Sequence, residues 1–206
     1  MSIKITGTGS YIPLLTKKND DFLNAKFLNL DGSDFKVSND VIIKKFKSIT
    51  GIEERRYAKD HHNTSDLAFF AAEKAIKDAA LDQETIDYII VAHNFGDIKS
   101  GTKQSDSLPS LASRVKFNLG IKNPNCVCYD IIFGCPGWIE GVIQAYAFIK
   151  AGMAKKCLVI GAETLSRTYD VNDRDSMIYA DGAGASIVEL KSQIKNSGIL
   201  SHKSCT

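Results

Sequence analysis

The feature that most constrains the fold is a set of short apolar segments that alternate with helical segments. Residues 86–94, 125–133 and 156–163 have apolar centres, without the strict alternation of apolar and polar residues seen in half-exposed strands. A strand of this kind is buried on both faces, which is typical of a mainly parallel sheet covered by helices. The pattern therefore predicts an α/β fold with α/β/α layers.

Five strands and four helices follow from this pattern. Helix starts are marked by Thr64 or Ser65, whose hydroxyls can accept from the free amides of a first turn, and by Pro109. Residues 14–49 are polar and charged, and they are predicted to form a variable insert of short helices and loops. The predicted strands are 2–6, 86–94, 125–133, 156–163 and 181–190. The predicted helices are 40–47, 63–81, 107–121 and 136–151.

Composition narrows the class of protein. The chain has 206 residues, and its 26 Lys+Arg against 24 Asp+Glu do not favour a nucleic-acid partner. No apolar run approaches the roughly 18–20 residues of a membrane span, and the N-terminal residues lack the apolar region of a signal peptide. The five cysteines do not have the spacing of zinc ligands. We therefore expect a cytoplasmic protein with reduced thiols, no metal and no membrane association.

One cysteine lies at a predicted strand-to-helix junction, in the segment YDIIFGCPGW at 129–138. Ligands of open α/β sheets bind beyond the carboxyl ends of the strands. Pro136 suits the first helical position, so Cys135 lies near the N-cap, where free amides and the helix dipole favour the thiolate. Gly134 allows a sharp turn. The arrangement is similar to the nucleophile elbow of hydrolases, with sulfur in place of oxygen.

The less specific interpretation of a cysteine is inert packing, since free cysteine is among the most buried residue types. From spacing alone the two interpretations of Cys135 stay equally open. For the four other cysteines we predict packing: Cys126, Cys128, Cys157 and Cys205.

His93 ends the second predicted strand, so it faces the same sheet edge as Cys135. A Cys–His pair would supply a nucleophile and its base. The alternative, which we favour, is a loop histidine bonded to backbone or water.

Six segments in this order resemble β-ketoacyl-acyl carrier protein synthase III, a thiolase-fold condensing enzyme. The resemblance runs through nearly the whole chain and is weak over 14–49. Its most specific part is the combination of the cysteine segment with DVNDR and DGAGA. The segments are GTGSYIP (7–13), TGIEERRYA (50–58), LPSLASRVKFNLGI (108–121), YDIIFGCPGW (129–138), LVIGAETLSRTYDVNDRD (158–175) and YADGAGA (179–185).

The resemblance implies an acyltransferase of fatty acid or related lipid biosynthesis. Such an enzyme takes an acyl group from an acyl-coenzyme A or acyl-carrier thioester onto the residue matching Cys135, without a bound cofactor. It then condenses that group with malonyl-acyl carrier protein, with loss of carbon dioxide. Arg174 matches an arginine that contacts the coenzyme A nucleotide, and Leu108 matches a position that closes the acyl pocket across the dimer. Tyr179 lies where the family has an aromatic pocket residue.

Several positions depart from the family pattern. Lys45 and Ile49 occupy roughly the places of a tryptophan and an arginine that sandwich adenine, which makes an acyl-carrier-bound or unusual starter an open alternative. Pro136 replaces a small residue, and YAD replaces the commoner aromatic-glycine-aspartate. Family members are about twice as long, as expected for a fold of two similar halves. We therefore expect residues 1–206 to be the N-terminal half, with the condensing histidine and asparagine in an absent C-terminal half.

Three functional hypotheses remain at this point. The first is the N-terminal half of a synthase III-type ketosynthase, which we expect not to condense substrates alone. The second is a relative from a secondary-metabolite or aryl-lipid pathway, and the third is a non-catalytic half that pairs with a partner subunit. The third predicted strand, 126–132, is expected to form a homodimer, because an apolar strand at a sheet edge invites pairing.

Overall fold

The computed structural model describes residues 2–191 and 197–204. Every predicted helix and every predicted sheet strand is confirmed, with ends that shift by a few residues. The helices in the described part are α1 (Asn39–Thr50), α2 (Thr64–Asp78), α3 (Leu111–Leu119) and α4 (Gly137–Lys150). The strands are β1 (Ser2–Tyr11), β2 (Leu15–Lys18), β3 (Glu54–Tyr57), β4 (Tyr88–His93), β5 (Asp97–Ile98), β6 (Ser105–Asp106), β7 (Val127–Ile132), β8 (Lys156–Thr164) and β9 (Asp181–Lys191).

The main sheet has five strands in the order β1-β9-β8-β4-β7. Strand β4 lies between β8 and β7 and pairs with both in parallel. Strand β9 runs antiparallel to β8 on one side and to β1 on the other. Strands β1, β8, β4 and β7 therefore point in one direction and only β9 is reversed, which confirms a mainly parallel sheet within the described residues.

Helices cover both faces of this sheet. Helices α2 and α3 pack on one face, and α4 packs on the other. The central strand β4 shows why its sequence is apolar throughout. Ile89 and Val91 belong to the core under α2 and α3, whereas Ile90 belongs to the core under α4. Alternate side chains of a strand point to opposite faces, so a strand between two helical layers needs apolar residues at every position.

The segment 14–49 forms a small separate unit beside the sheet. Strand β2 pairs antiparallel with β3, which follows this segment and completes the unit. The sequence did not predict this pair. Helix α1 contributes Ile42 and Ile43 to the core of the unit. Arg55 of β3 is buried and donates from Nε to the Met177 carbonyl oxygen at 3.0 Å. This bond ties the unit to the turn before β9. The core of the small unit consists of Phe22, Phe27, Ile42, Ile43 and Met177.

Within the described residues, none of the helices combines the length and apolar character needed to cross a bilayer.

Strand β1 lies very close to α2 at Gly9, and a substitution at this residue tests the packing. A Cβ atom on Gly9 would lie 2.2 Å from the Ala71 carbonyl oxygen and 2.5 Å from the Ala75 nitrogen of α2. Because backbone atoms cannot move aside cheaply, we expect Gly9→Ala to lower the free energy of unfolding by about 1–3 kcal/mol. Urea denaturation measures this loss.

Gly184 of β9 provides the matched control. It is paired with Ser10 of β1, the residue after Gly9, and no atom lies within 4 Å of the place that a Cβ atom on Gly184 would occupy. Gly184→Ala should leave the unfolding free energy within about 0.5 kcal/mol of the parent chain. Equal losses for the two substitutions would contradict this packing.

Candidate active site

The parallel strands bring their carboxyl ends to one edge of the sheet. His93, the last residue of β4, lies opposite Ile132, the last residue of β7. On the other side, Ala92 lies opposite Gly161, two residues before Glu163 of β8. The residues that follow β4 and β7 therefore emerge side by side with the end of β8, where α/β sheets bind ligands.

The predicted elbow forms at this edge. Gly134 adopts φ 72°, in the left-handed region that favours glycine. The Gly137 N–H donates to the Gly134 carbonyl oxygen at 3.0 Å, which closes a tight turn around Cys135. Cys135 is exposed and lies directly ahead of α4. The thiol is thus held at the positive end of a helix dipole and open to solvent.

The prediction that Pro136 takes the first helical position is wrong by one residue. Pro136 is the N-cap, with φ −81° and ψ 3°, and Gly137 is the first helical residue. The turn from Gly134 to Gly137 holds Pro136 at this non-helical ψ. Cys135 consequently precedes the N-cap, but it remains next to the free amides of the first turn.

The other described thiols lie in packed surroundings, as predicted. Cys126 and Cys157 are buried, and Cys128 is half-buried with its Sγ 3.7 Å from the Cys126 carbonyl oxygen. Burial raises the pKa of Cys157 to about 12. A hydrogen bond between the two thiols raises the pKa of Cys128 and lowers that of Cys126. Cys205 lies outside the described residues.

His93 is buried, and both of its ring nitrogens are occupied. Nδ1 accepts from the Gly96 N–H at 3.0 Å, so Nε2 carries the proton and donates to Asp130 Oδ2 at 3.0 Å. A histidine bound in this way holds backbone and carboxylate in place and has no free nitrogen to serve as a base for Cys135. The favoured interpretation is confirmed for the bond to the backbone, at Gly96. It is wrong in placing the histidine in a loop, since His93 is the buried last residue of β4 and its other nitrogen bonds a carboxylate.

Asp130 of β7 joins three elements at the site edge. Besides His93, its carboxylate accepts from the N–H groups of Leu111 at 2.7 Å and Ala112 at 2.9 Å, at the start of α3. Leu108, one of the predicted site residues, lies just ahead of this helix start and is 84% exposed. Sequence reasoning missed Asp130, although an acidic residue inside an otherwise apolar strand was a usable signal.

Glu163 and Asn94 form a second link across the edge that sequence reasoning also missed. One carboxylate oxygen of Glu163 accepts from the Asn94 N–H at 2.5 Å and from Asn94 Nδ2 at 2.6 Å. Burial raises the pKa of Glu163, while the Asn94 donors and the nearby His93 act in the opposite direction. The signal in the sequence was again an acidic residue at the end of an apolar strand.

Arg174 lies in a different place, beside the segment 14–49. It lines a cavity of about 480 Å³ together with Lys45 and Ile49, the two positions that depart from the family pattern. Its guanidinium carbon lies 4.9 Å from the centre of the Phe35 ring. The structure thus brings Arg174 next to two positions that precede it by more than a hundred residues. The remaining wall is mostly apolar: Val37, Val41, Ile42, Phe46, Met177 and Ile178.

Tyr179 follows Arg174 on the turn that leads into β9. Its ring stacks on Tyr169 with 6.2 Å between centroids and 17° between planes. The Tyr169 hydroxyl lies 3.1 Å from the Tyr57 hydroxyl, so the three tyrosines form one cluster. The predicted site residues therefore occupy three places: the elbow, the approach to α3, and the turn before β9.

The exposure of the thiols predicts their reactivity. We expect brief, substoichiometric iodoacetamide to modify Cys135 before Cys126, Cys128 or Cys157, because only Cys135 is exposed among the four described thiols. Peptide mass mapping measures the order of labelling. Preferential labelling of any other cysteine, Cys205 included, would contradict the assignment of the reactive thiol.

The chain is similar in sequence to known proteins over most of its length. The sequence profile of 3-oxoacyl-[acyl-carrier-protein (ACP)] synthase III matches residues 129–206, which include the elbow. The β-ketoacyl-[acyl-carrier-protein] synthase III 1 of Vibrio parahaemolyticus is 40% identical over 189 residues, covering 91% of this chain and 52% of that protein. The synthase III of Neisseria gonorrhoeae is 40% identical over 186 residues, covering 90% and 51%.

The fold comparison agrees with the sequence comparison. The crystal structure of 3-oxoacyl-[acyl-carrier-protein] synthase III from Aquifex aeolicus matches with a TM-score of 0.74 and 35% identity, over 93% of this chain and 55% of that one. The resemblance and the thiolase-like fold that the motifs predicted are confirmed. The chain spans about half the length of the relatives it matches.

Proposed function

We propose that this relative of the β-ketoacyl-[acyl-carrier-protein] synthases III carries the nucleophile of a condensing acyltransferase, with Cys135 as the acyl acceptor. The observation that supports this most strongly is an exposed thiol at a strand-to-helix elbow. The same elbow lies inside the stretch that matches the synthase III profile. An inert packing cysteine would be expected inside the core, as Cys157 is.

The geometry suits acyl transfer from a thioester. The Cys135 thiolate attacks the carbonyl carbon, and the tetrahedral oxyanion collapses as the carbon–sulfur bond of the incoming thioester breaks and its sulfur leaves as a thiolate. Solvent supplies that thiolate with a proton in place of the one that Cys135 gave up. Across the described backbone, no hydrogen bond uses the Cys135 N–H. This N–H is therefore available to donate to the oxyanion. The hydrogen bond strengthens as negative charge develops on the oxygen in the transition state.

Condensation requires hydrogen-bond donors beyond those that acyl transfer needs. Decarboxylation of malonyl-acyl carrier protein produces an enolate, which needs hydrogen-bond donors of its own. In the family those donors are a histidine and an asparagine of the second half. His93 does not replace them, since both of its nitrogens are engaged. We propose that residues 1–206 accept an acyl group and do not complete the condensation.

The identity of the starter depends on the cavity at Arg174. Lys45 and Arg174 supply two positive charges at a mostly apolar wall, against the one negative charge of Asp175, whose Oδ1 lies 3.8 Å from Arg174 Nε. The excess of positive charge suits an anionic group carried on an apolar body. The cavity has an aliphatic side chain, Ile49, and a lysine where the family places its adenine sandwich. This supports an acyl-carrier-bound starter beside acyl-coenzyme A, with acyl carrier protein as the partner.

The test is to incubate the purified chain with acyl-coenzyme A or acyl-acyl carrier protein and to map acylated peptides by mass spectrometry. We expect an acyl group on Cys135, none in a Cys135→Ala variant, and no β-ketoacyl product after malonyl-acyl carrier protein is added. A single lost oxyanion donor typically costs about 100–1000-fold in rate, so loss of the enolate donors should reduce turnover to background.

Each contrary outcome points to a specific alternative. An unmodified Cys135 with every thioester would favour the non-catalytic pairing half. Acylation by aryl starters alone would favour a secondary-metabolite or aryl-lipid enzyme. Turnover above the Cys135→Ala control would refute the proposed division of the reaction, and His93→Ala would then test whether this histidine acts as a local base.

The proposed homodimer uses the edge of the main sheet. Strand β7 is the last strand in the sheet order, so one of its edges has no strand partner in the described residues. Its end residues are exposed, Val127 to 45% and Ile132 to 71%. An unpaired edge with apolar ends is suited to pairing with the same strand of a second copy.

We expect sedimentation equilibrium at micromolar concentrations to give the mass of two chains. Val127→Glu should shift the equilibrium towards monomer, since a carboxylate in the interface would lose its solvation without gaining a partner. Phe117→Glu on the exposed side of α3 serves as a charge-matched comparison. A monomer for the parent chain at high micromolar concentration would contradict the proposed dimer.

A further inference from the structure

We propose that Arg55 is a positioning residue for the cavity at Arg174, where it holds the turn that carries Arg174 against the segment 14–49. The proposal rests on the proposed function, because it assigns Arg55 a role towards the cavity in which the carrier of the acyl group would bind. Arg55 is 4% exposed and lies behind the cavity wall. It acts through two residues of that wall, Met177 and Phe46. No covalent step is assigned to it.

The first contact joins Arg55 to the turn that carries Arg174. This turn is a short 3-10 helix, Arg174–Ile178, and Arg55 Nε donates to the Met177 carbonyl oxygen within it at 3.0 Å. In the described part of the chain, the other hydrogen bonds of residues 174–178 stay between 173 and 179. The bond from Arg55 is therefore the hydrogen bond that ties this turn to another segment.

The chain just ahead of the turn is held by a separate pair of bonds. Asn172 Nδ2 donates to the Lys26 carbonyl oxygen at 2.7 Å, and the Asn172 carbonyl oxygen accepts from the Leu28 N–H at 2.9 Å. Arg174 thus lies between an anchor at 172 and an anchor at 177. Without Arg55 the second anchor is lost, and the far end of the turn is free to move away from the segment 14–49.

The second contact joins the same guanidinium to α1. Its central carbon lies 5.7 Å from the centre of the Phe46 ring and 5.2 Å from the centre of the Phe22 ring. A guanidinium within about 6 Å of an aromatic ring centre is attracted to the ring. Phe46 follows Lys45 in α1, and both line the cavity. Arg55 therefore interacts with both walls, the helix that carries Lys45 and the turn that carries Arg174.

The hydrogen bonds of Arg55 require the shape of a guanidinium. Nη1 donates to the Lys17 carbonyl oxygen at 3.1 Å and Nη2 donates to Asn19 Oδ1 at 2.6 Å, so all three nitrogens are bonded. The single nitrogen of a lysine cannot reach three separate acceptors. All three acceptors are uncharged, and burial of a charge without a bonded carboxylate is costly. The three directed bonds are what this position provides in return.

The orientation of the turn decides how the cavity acts on a ligand. Lys45 and Arg174 attract the same anionic group only while both face the same space, because the attraction falls with distance. Movement of the turn would carry Arg174 away from Lys45 and weaken binding of the carrier. The elbow lies elsewhere, at the edge formed by β4, β7 and β8. Loss of Arg55 should therefore weaken binding and leave the reaction of the thiol unchanged.

The experiment uses the 206-residue chain with Arg55→Leu or Arg55→Lys. Acylation of Cys135 is followed over a range of concentrations of acyl-coenzyme A and of acyl-acyl carrier protein. A thioester of N-acetylcysteamine, which has no phosphate or nucleotide, bypasses the charged part of the cavity. Arg167→Leu is the matched control, because the Arg167 guanidinium also donates to uncharged oxygens only, and none belongs to a residue of the cavity wall: Lys59, His62, Asn63 and Ile98.

We expect Arg55→Leu and Arg55→Lys to raise the half-saturating concentration of the carrier thioester by about tenfold, which is typical for loss of a hydrogen bond from a charged group. The limiting rate should stay within about threefold, because the loss affects binding alone. The N-acetylcysteamine thioester and iodoacetamide should react with Cys135 as in the parent chain. Arg167→Leu should leave the half-saturating concentration within about threefold of the parent value.

Two further measurements show whether Arg55 acts through the turn. The Tyr179 N–H donates to the Ser176 carbonyl oxygen at 3.2 Å, and its hydrogen exchange should become about tenfold faster in both Arg55 variants. Arg174→Leu should also weaken binding of the carrier thioester. Adding Arg55→Lys to Arg174→Leu should then raise the half-saturating concentration by less than about threefold, because coupled residues are not additive.

Several results would overturn the proposal. Parent-like binding in Arg55→Lys would show that the charge suffices, and a full second loss on the Arg174→Leu background would show that Arg55 does not act through Arg174. Slower reaction of Cys135 with iodoacetamide would leave Arg55 a general structural role. If Arg55→Leu does not fold, Arg55→Lys decides by the same readouts. If the parent chain takes no acyl group, the proposed function fails, while exchange at Tyr179 still tests the positioning.

Discussion

The parallel pairing of β4 with both β7 and β8 is the constraint on which the site depends. It places His93, Ile132 and the end of β8 at one edge, so that three loops leave the sheet within reach of one another. The elbow leaves the sheet at this edge, and the hydrogen bonds of Asp130 and Glu163 bridge the strand ends. If the register of one strand shifted by a single residue, its inward and outward side chains would exchange faces, and these bridges would be lost.

Apolar patterning was sufficient to predict the layers of the fold. Buried strands with apolar residues at every position, such as Ile89, Ile90 and Val91, distinguish a doubly covered sheet from a half-exposed one. The elbow was also predictable, because Gly134, Cys135 and Pro136 are adjacent in sequence and their conformations are local. The one error in this prediction is the position of Pro136 relative to the helix, and a shift of one residue is expected at helix ends.

The hydrogen bonds between the strand ends could not be predicted in the same way. Glu163 and Asn94 are 69 residues apart, and their contact exists only because β8 and β4 are neighbours in a particular register. The engagement of His93 by Gly96 and Asp130 depends on the same strand order. Sequence spacing indicated that His93 faced the right edge, but only the three-dimensional arrangement shows that its nitrogens are occupied.

The most direct test of the central claim, that the elbow presents Cys135 for acyl transfer, is a crystal structure of the chain after reaction with an acyl thioester. The account predicts an acyl group on Cys135 Sγ, with its carbonyl oxygen accepting from the Cys135 N–H at about 2.7–3.1 Å. An acyl group on Cys128 or Cys126, or an acyl carbonyl on Cys135 that points away from this N–H, would contradict it.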